Sequence, residues 1–352
     1  MLEFLLETAS KKKDKILKVL DSLEREKKTI KPPWKDVKIK ELKGKKIAGE
    51  DGSYNYKELR SFTLYAIASQ VFFFDGEMKS LRACDIDLLW PYKYTEDRLR
   101  FYMHIFESKI SLKALKEFNP DLLLLDGSLI GMIIRPLPFL LSPPEEVRLE
   151  AKEKFLAKLE KLIENGGIEI SSKKLWPEVK KEFFEFKNQV ICYLEYLEHL
   201  IVLHKLLKEG KNKIVAIAKT SRATDYFDLG IPDMAIFERY SKKEGFSIPI
   251  RIRISKMLKR TFPILDKELR EMDLTVFYAR LEDKKNVLKF EIPGTIDEGQ
   301  AIEILGSIKE VSTNGYPYLL KKAHAETIIH DTDIDHLIKI FGLVEKLGRE
   351  ML

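Results

Sequence analysis

The chain has 352 residues, of which 45% are hydrophobic and 34% charged, a balance that excludes disordered and fibrous proteins. Its net charge of +6 permits a polyanionic partner without requiring one. The apolar runs are far shorter than the ~20 residues that cross a bilayer, and the N-terminus lacks the order of a secretory signal, so we expect a cytoplasmic protein without a membrane span. With only Cys84 and Cys192, no disulfide scaffold or cysteine-built zinc site is expected.

The N-terminal segment, residues 1–34, is predicted to be a separate amphipathic helix that contacts a dimer mate or a partner. Apolar residues such as Leu5, Ile16 and Leu20 can share one face of the helix, and Pro32-Pro33 follows its end. The remaining residues, 35–352, are predicted to form one domain.

The first half of that domain reads as strands followed by a helix and a strand. The predicted elements are a short strand and turn in KKIAGEDGSY, a long strand in SFTLYAIASQVFFF, a hairpin turn at Asp75-Gly76, a short strand toward Cys84, a helix over 95–118, and a buried strand over 121–125. This order predicts an α/β fold with a strand, helix, parallel strand unit.

The second half begins with a proline-rich connection at 136–144. We expect a helical insertion at about 145–210, made of helices over 145–165 and 174–209, and then a short apolar strand in NKIVAIAK, residues 212–219. Later extended segments are predicted at 247–254, 274–281 and 286–292, and helices at 297–310 and 316–348.

An Asp-Gly-Ser tripeptide occurs twice, at Asp51 and at Asp126, each time after an apolar strand. If the two strands are neighbours, their carboxylates converge at the end of the sheet where open α/β folds build their sites. Converging carboxylates repel each other unless a cation lies between them, and oxygen ligands suit Mg²⁺ or Mn²⁺. The structural alternative is that Asp-Gly is a common turn and Asp-Gly-Ser an ordinary loop or helix start.

Two further residues could join such a site. Glu107 lies on the predicted helix between the two motifs, although most helical acids are solvated. His324 lies on a predicted helix near the C-terminus, where an imidazole could bind a metal or carry a proton, or simply pack. Basic residues cluster at 35–46 and 251–260, and these patches are candidates for contacts with phosphate groups, the alternative being a solvated lysine-rich surface.

The series Gly49-Glu50-Asp51-Gly52-Ser53, Glu107, Leu123 to Leu129 with Asp126 at its centre, and Gly315-Tyr316-Pro317 with Ala323-His324 resembles the NurA nucleases of archaea and some bacteria. The resemblance extends from about residue 45 to 340. It implies a ribonuclease H-like mixed sheet flanked by helices, and a nuclease dependent on Mn²⁺, with Mg²⁺ as the alternative ion. It also implies a homodimer that acts on DNA with the hexameric HerA translocase in DNA end resection.

Residue by residue, the resemblance makes Asp51, Glu107, Asp126 and His324 the metal ligands and adds Tyr316 as a catalytic residue that orients the phosphate or stacks on a base. Glu96 and Glu117, on the same predicted helix, are the alternatives to Glu107. The expected DNA contacts are Lys219, Ser221, Arg222, Arg251, Arg253 and Lys256.

The activity that the resemblance implies is single-stranded endonuclease and 5′–3′ exonuclease cleavage of single- and double-stranded DNA for break repair. One alternative is a non-catalytic DNA-binding scaffold that keeps the fold. A nucleotide-using phosphotransferase is a second, but neither GxxxxGK[ST] nor GxGxxG occurs in the chain.

Overall fold

A computed structural model describes residues 2–29, 31–90 and 94–343. In these ranges the strands are β1 (Trp34–Asp36), β2 (Ile47–Glu58), β3 (Thr63–Phe74), β4 (Met78–Leu89), β5 (Leu122–Asp126), β6 (Ile214–Ala218), β7 (Gly245–Ser247), β8 (Ile250–Arg253), β9 (Asp273–Arg280), β10 (Leu288–Pro293), β11 (Ser312–Thr313) and β12 (Tyr316–Pro317). The α-helices are α1 (Leu2–Thr29), α2 (Thr95–Phe118), α3 (Leu129–Ile134), α4 (Glu145–Asn165), α5 (Trp176–Glu182), α6 (Lys187–Glu209), α7 (Asp233–Tyr240), α8 (Ile254–Met257), α9 (Asp266–Arg270), α10 (Glu298–Glu310), α11 (Tyr318–Thr327) and α12 (Asp331–Ile340).

One mixed sheet organises the described chain. Its strand order is β1-β7-β9-β10-β6-β5-β2-β3-β4, with β8 also paired to β9. The central strands β2, β5 and β6 are parallel, and the other pairs are antiparallel. The predicted mixed sheet with flanking helices is therefore confirmed, as is the parallel pairing of the strands that carry the two Asp-Gly-Ser motifs.

Helices cover both faces of this sheet because its central strands are apolar on both sides. On one face Ala48 and Leu123 pack in a core with α2 and α6. On the other face Ile47 and Leu124 pack with α10 and α11, including Leu319. The sheet is thus the middle layer of three, which explains the near-continuous hydrophobicity of β5 and β6.

The first Asp-Gly-Ser motif is not a turn, contrary to the prediction. β2 continues through Asp51 to Glu58, because β3 pairs with it along its whole length, from Ile47 opposite Phe74 to Glu58 opposite Thr63. β4 is likewise a full strand of 12 residues and not a short one, paired with all of β3 beyond the Asp75-Gly76 hairpin. Long-range pairing decides these lengths, and local composition does not encode it.

Two long predicted helices are broken. The segment 174–209 divides into α5 and α6, because Phe183 turns into the core against Phe155 while the next residue faces solvent. The segment 316–348 contains β12, α11 and α12, and its residues 344–348 lie outside the described ranges. α11 ends where the Ser53 hydroxyl and the Asn55 amide of β2 donate to the carbonyl groups of residues 327 and 329.

The N-terminal helix is confirmed as α1, which contacts α7. Its apolar side chains are exposed, among them Phe4, Leu5, Leu6, Ile16, Leu17, Val19 and Leu20. In the described ranges, no helix is long and apolar enough to span a membrane.

Candidate metal centre

The two aspartates of the repeated motif lie side by side on parallel strands. Pairing of β2 with β5 ends at Glu50 and Leu125, so the next residues, Asp51 and Asp126, are neighbours. Asp51 is the fifth residue of β2, and Asp126 is the last residue of β5. The parallel register that the apolar sequence of β5 favours therefore brings together two carboxylates that are 75 residues apart in the chain.

His324 reaches the same place from α11. This helix lies close against β2, because a Cβ at Gly49 would stand 2.7 Å from the Cβ of Leu319. Nδ1 of His324 lies 2.7 Å from Oδ2 of Asp51, and each of Asp51, Asp126 and His324 offers a ligand atom within 4.8 Å of the others. Within the described ranges these three side chains form a compact donor set of two carboxylates and one imidazole.

Glu107 approaches from the opposite face of β2. Its side chain fills the space where a Cβ at Gly52 would lie, 2.8 Å from its Oε1, and it is only 7% exposed. Glu107 lies outside the compact donor set of Asp51, Asp126 and His324. Pairing of β5 with β2 ends at Glu50, however, so β5 leaves that edge of β2 open from Asp51 onwards. The two predicted alternatives to Glu107 as a metal ligand lie away from the site. Glu117 is exposed beside Lys113, and Glu96 lies near the hydroxyl of Tyr56.

Asp51 and Glu107 hold protons more tightly than free carboxylates do. Burial, followed by the charge of Asp126, raises the pKa of Asp51 to about 6, against the opposing effect of His324. Burial, followed by the charges of Asp51 and Asp126, raises the pKa of Glu107 to about 8. Such shifts indicate negative groups held together without enough countercharge, which is the environment that a divalent cation stabilises.

Sequence reasoning missed Glu50 as a member of the cluster. Its carboxylate accepts a hydrogen bond from the Ser69 hydroxyl at 2.9 Å, and burial, followed by the charges of Glu107 and Asp51, raises its pKa well above the usual range. The sequence gives no local signal for this, because the environment of Glu50 comes from β3, which pairs with β2 and carries Ser69.

Lys219 and Tyr316 border the donor set. Nζ of Lys219, in the residue after β6, lies 2.6 Å from Oδ2 of Asp126 and 4.9 Å from the centre of the Tyr316 ring. The Tyr316 hydroxyl is buried beside the carboxylate of Asp126. Burial and the charge of Asp126 raise the pKa of this phenol. Both predicted residues therefore lie at the site.

The other predicted DNA contacts lie further away or are already paired. The Ser221 hydroxyl accepts from the amide of Ala223, and Arg222 is exposed in the same loop. Arg251 and Arg253 both bind Asp273 on the neighbouring strand, an acid that the run 251–260 does not contain. Four strand spacings separate β8 from β5, about 20 Å, and Lys256 is exposed on α8.

A buried ion pair that the sequence did not reveal supports the loop after Asp126. Glu291 is fully buried and accepts from the Ser128 hydroxyl at 3.0 Å, the amide of Ile130 at 2.9 Å and Nζ of Lys289 at 2.8 Å. Lys289 also contacts Asp225, 3.3 Å away in the loop that follows Lys219. One ion pair thus fixes both loops that border the donor set.

The donor set fits a hard divalent cation. Carboxylate oxygens with one imidazole suit Mn²⁺ and Mg²⁺, whereas a structural zinc site would normally use thiolates or several histidines. Burial and mutual repulsion raise the pKa values of Asp51 and Glu107, a state that a bound cation would relieve, and the three compact ligand atoms are near enough to share one ion.

Comparison with known proteins identifies the family of the chain. The NurA domain family model matches residues 45–329. A probable DNA double-strand break repair nuclease NurA from Methanocaldococcus jannaschii is 29% identical over 374 residues, covering 100% of this chain and 92% of that protein. The DNA double-strand break repair nuclease NurA from Saccharolobus solfataricus is 25% identical, covering 84% and 80%.

Solved structures agree on the fold. The crystal structure of the NurA nuclease from Sulfolobus solfataricus superimposes with a TM-score of 0.71 at 23% identity and covers 97% of each chain. A crystal structure of NurA bound to dAMP and manganese superimposes with a TM-score of 0.67 at 16% identity and covers 98% of this chain and 95% of that one.

Proposed function

The chain belongs to the NurA family, and we propose that it is a metal-dependent DNA nuclease that acts in DNA double-strand break repair. The observation that carries this proposal is the compact donor set of Asp51, Asp126 and His324 at adjoining positions of parallel strands and an overlying helix. Lys219 and His324 partly offset the charge of these two carboxylates, and a divalent cation would add the remaining countercharge.

In this proposal Asp51, Asp126 and His324 hold Mn²⁺, or Mg²⁺, and Glu107 completes the set through the open side of β2. The bound ion supplies charge stabilisation for the phosphate and lowers the pKa of a bound water. The buried acids keep the ion fixed, because Glu291 and the pairing of β2 with β3 hold their backbone in place.

Lys219 and Tyr316 would act on the substrate. The Lys219 side chain is 39% exposed at the edge of the site, where its ammonium group can contact a DNA phosphate. The Tyr316 hydroxyl, beside Asp126, would donate to a phosphate oxygen and so orient the scissile group, which is the role of a catalytic residue. Ser221 and Arg222, in the loop beyond Lys219, would extend this contact.

The finer activity follows the family. We propose single-stranded endonuclease and 5′–3′ exonuclease cleavage, end resection with a hexameric HerA translocase, and a homodimer. The exposed apolar side chains of α1 support a contact surface within residues 1–34, beside the nuclease domain of residues 35–352. We take the five strands β4, β3, β2, β5 and β6 as its ribonuclease H-like core.

The test is cleavage of end-labelled single- and double-stranded DNA with Mn²⁺, Mg²⁺ or EDTA. We expect metal-dependent products from the wild type and none from Asp51→Asn or Asp126→Asn. Asp228→Asn is the matched control, because Asp228 is exposed and its positive φ of 52° suits asparagine. This control should cleave as the wild type does.

Cleavage by Asp51→Asn at the wild-type rate would refute the site. DNA binding without cleavage under every metal condition, with the translocase added, would favour the non-catalytic scaffold instead.

A further inference from the structure

A cavity of about 700 Å³ lies beyond the C-terminal end of α3. Three cationic and three aromatic side chains line it: Arg148, Lys259, Arg260, Phe139, Tyr193 and Tyr196. Among the described residues, no Asp or Glu belongs to this lining. The cavity therefore combines positive charge with aromatic surface, and neither the metal centre nor its bordering loops use it.

The two arginines of this cavity are held in different ways. Arg260 is fixed, since its guanidinium donates to the Tyr196 hydroxyl at 3.1 Å and to the carbonyl of Ile134, the last residue of α3, at 3.0 Å. Arg148 has a buried Nε–H with no hydrogen-bond partner within the described ranges. A buried donor without an acceptor is costly, and an anion in the cavity would remove that cost.

The rim of the cavity carries an exposed aromatic ring. Phe139 is 89% exposed, an unusual environment for a phenylalanine, and it lies in the proline-rich connection that follows α3. Prolines on either side of this connection restrict its backbone, so the ring is held outside the core at little further entropic cost. An exposed ring beside cationic side chains is the arrangement on which unpaired bases stack while phosphates bind alongside.

We infer that this cavity is a subsite for one unpaired nucleotide of the DNA strand, with the phosphate bound by Arg148 and Lys259 and the base stacked on Phe139. The inference rests on the proposed nuclease function and extends it.

The position of the cavity fits a strand that also enters the metal centre. α3 begins three residues after Asp126 and ends at Ile134, whose carbonyl binds Arg260. Its six residues span about 9 Å, so one strand can occupy both places. The subsite would hold a nucleotide near the scissile one and favour single-stranded over fully paired DNA, because a stacked base must leave its duplex partner.

The experiment measures binding without cleavage, using a fluorescent oligothymidylate in EDTA over a series of salt concentrations. Phe139→Ala should weaken binding about tenfold through lost stacking. Lys259→Gln should reduce the slope of log affinity against log salt by about 0.7, the value of one phosphate contact on a single strand. Both side chains are exposed, so neither change should disturb the core.

Matched controls are Phe184→Ala and Lys161→Gln, which alter an exposed phenylalanine and an exposed lysine outside the cavity. Wild-type affinity and salt slope in these controls, with losses in the two cavity variants, would support the subsite. Equal affinities and salt slopes in the cavity and control variants would overturn the subsite, and would indicate a protein partner as the occupant of the cavity.

A competition with free dTMP separates a strand subsite from a site for free nucleotides. Displacement of the probe by dTMP as effectively as by unlabelled oligothymidylate would overturn the assignment to the strand. Because the assay contains no metal, its result is independent of whether the chain cleaves DNA, and failure of one proposal is distinguishable from failure of the other.

Discussion

Replacing Glu107 by Gln should change how the stability of the metal-free protein depends on pH. The pKa of Glu107 is about 8 in the folded chain, against an ordinary value of 4.5. The folded state therefore binds a proton that the unfolded state has released, and stability must fall as pH rises between these values. At about 1.4 kcal/mol per pKa unit, the full shift corresponds to on the order of 5 kcal/mol.

Asp51 acts in the same direction over a lower range, since its pKa of about 6 lies above the ordinary 3.8. We therefore expect the melting temperature in EDTA to decline from pH 5 to pH 9, and Glu107→Gln to flatten the upper part of this decline. Added Mn²⁺ should stabilise the wild type more at pH 9 than at pH 6, because fewer protons then compete for the carboxylates.

The assay is thermal unfolding in EDTA and in Mn²⁺ at several pH values. The control is Glu117→Gln, which removes an exposed acid from the same helix and should leave the pH dependence unchanged. A Glu107→Gln protein whose stability falls with pH as steeply as the wild type would refute the assignment of this proton to Glu107.

Three further predictions concern the surroundings of the site. Gly49→Ala should destabilise the protein by about 2 kcal/mol in urea unfolding, because its Cβ would overlap Leu319, and wild-type stability would contradict this close packing. Glu291→Gln should lower the free energy of unfolding by about 3 kcal/mol, because it breaks a buried ion pair, and should raise the Mn²⁺ concentration needed for cleavage. An unchanged Mn²⁺ requirement would show that Glu291 does not position the loop after Asp126. Lys219→Gln should lower the salt slope of oligothymidylate binding in EDTA by about 0.7, and an identical slope would mean that this lysine serves Asp126 alone.

The sequence predicted what depends on local patterns. The bounds of α2 and α4 follow from apolar periodicity and proline punctuation, and both helices match the prediction. The convergence of Asp51 and Asp126 could be predicted because each follows an apolar strand, and neighbouring parallel strands end at the same edge of a sheet. Imidazole chemistry made His324 a candidate ligand, but the family resemblance, and not spacing, placed it and Tyr316 with Asp51, some 270 residues away in the chain.

What the sequence could not give depends on long-range pairing. Asp51-Gly52 has the composition of a turn, and only its partner β3 makes it part of a strand, with Gly52 leaving room for Glu107. Arg251 and Arg253 seemed free because their acid, Asp273, is 20 residues away along the chain. Glu50 and Glu291 were missed for the same reason, since a buried acid is recognised by its surroundings and not by its neighbours in sequence.

The position of His324 on α11 has a consequence for synthesis of the protein. The chain emerges from the ribosome N-terminus first, and domains fold in that order. Asp51, Glu107 and Asp126 are therefore synthesised well before His324, and the imidazole reaches them only when α11 docks on β2. A nascent chain that has not yet reached α11 carries the acids without the histidine, so the complete donor set forms only after α11 has been translated.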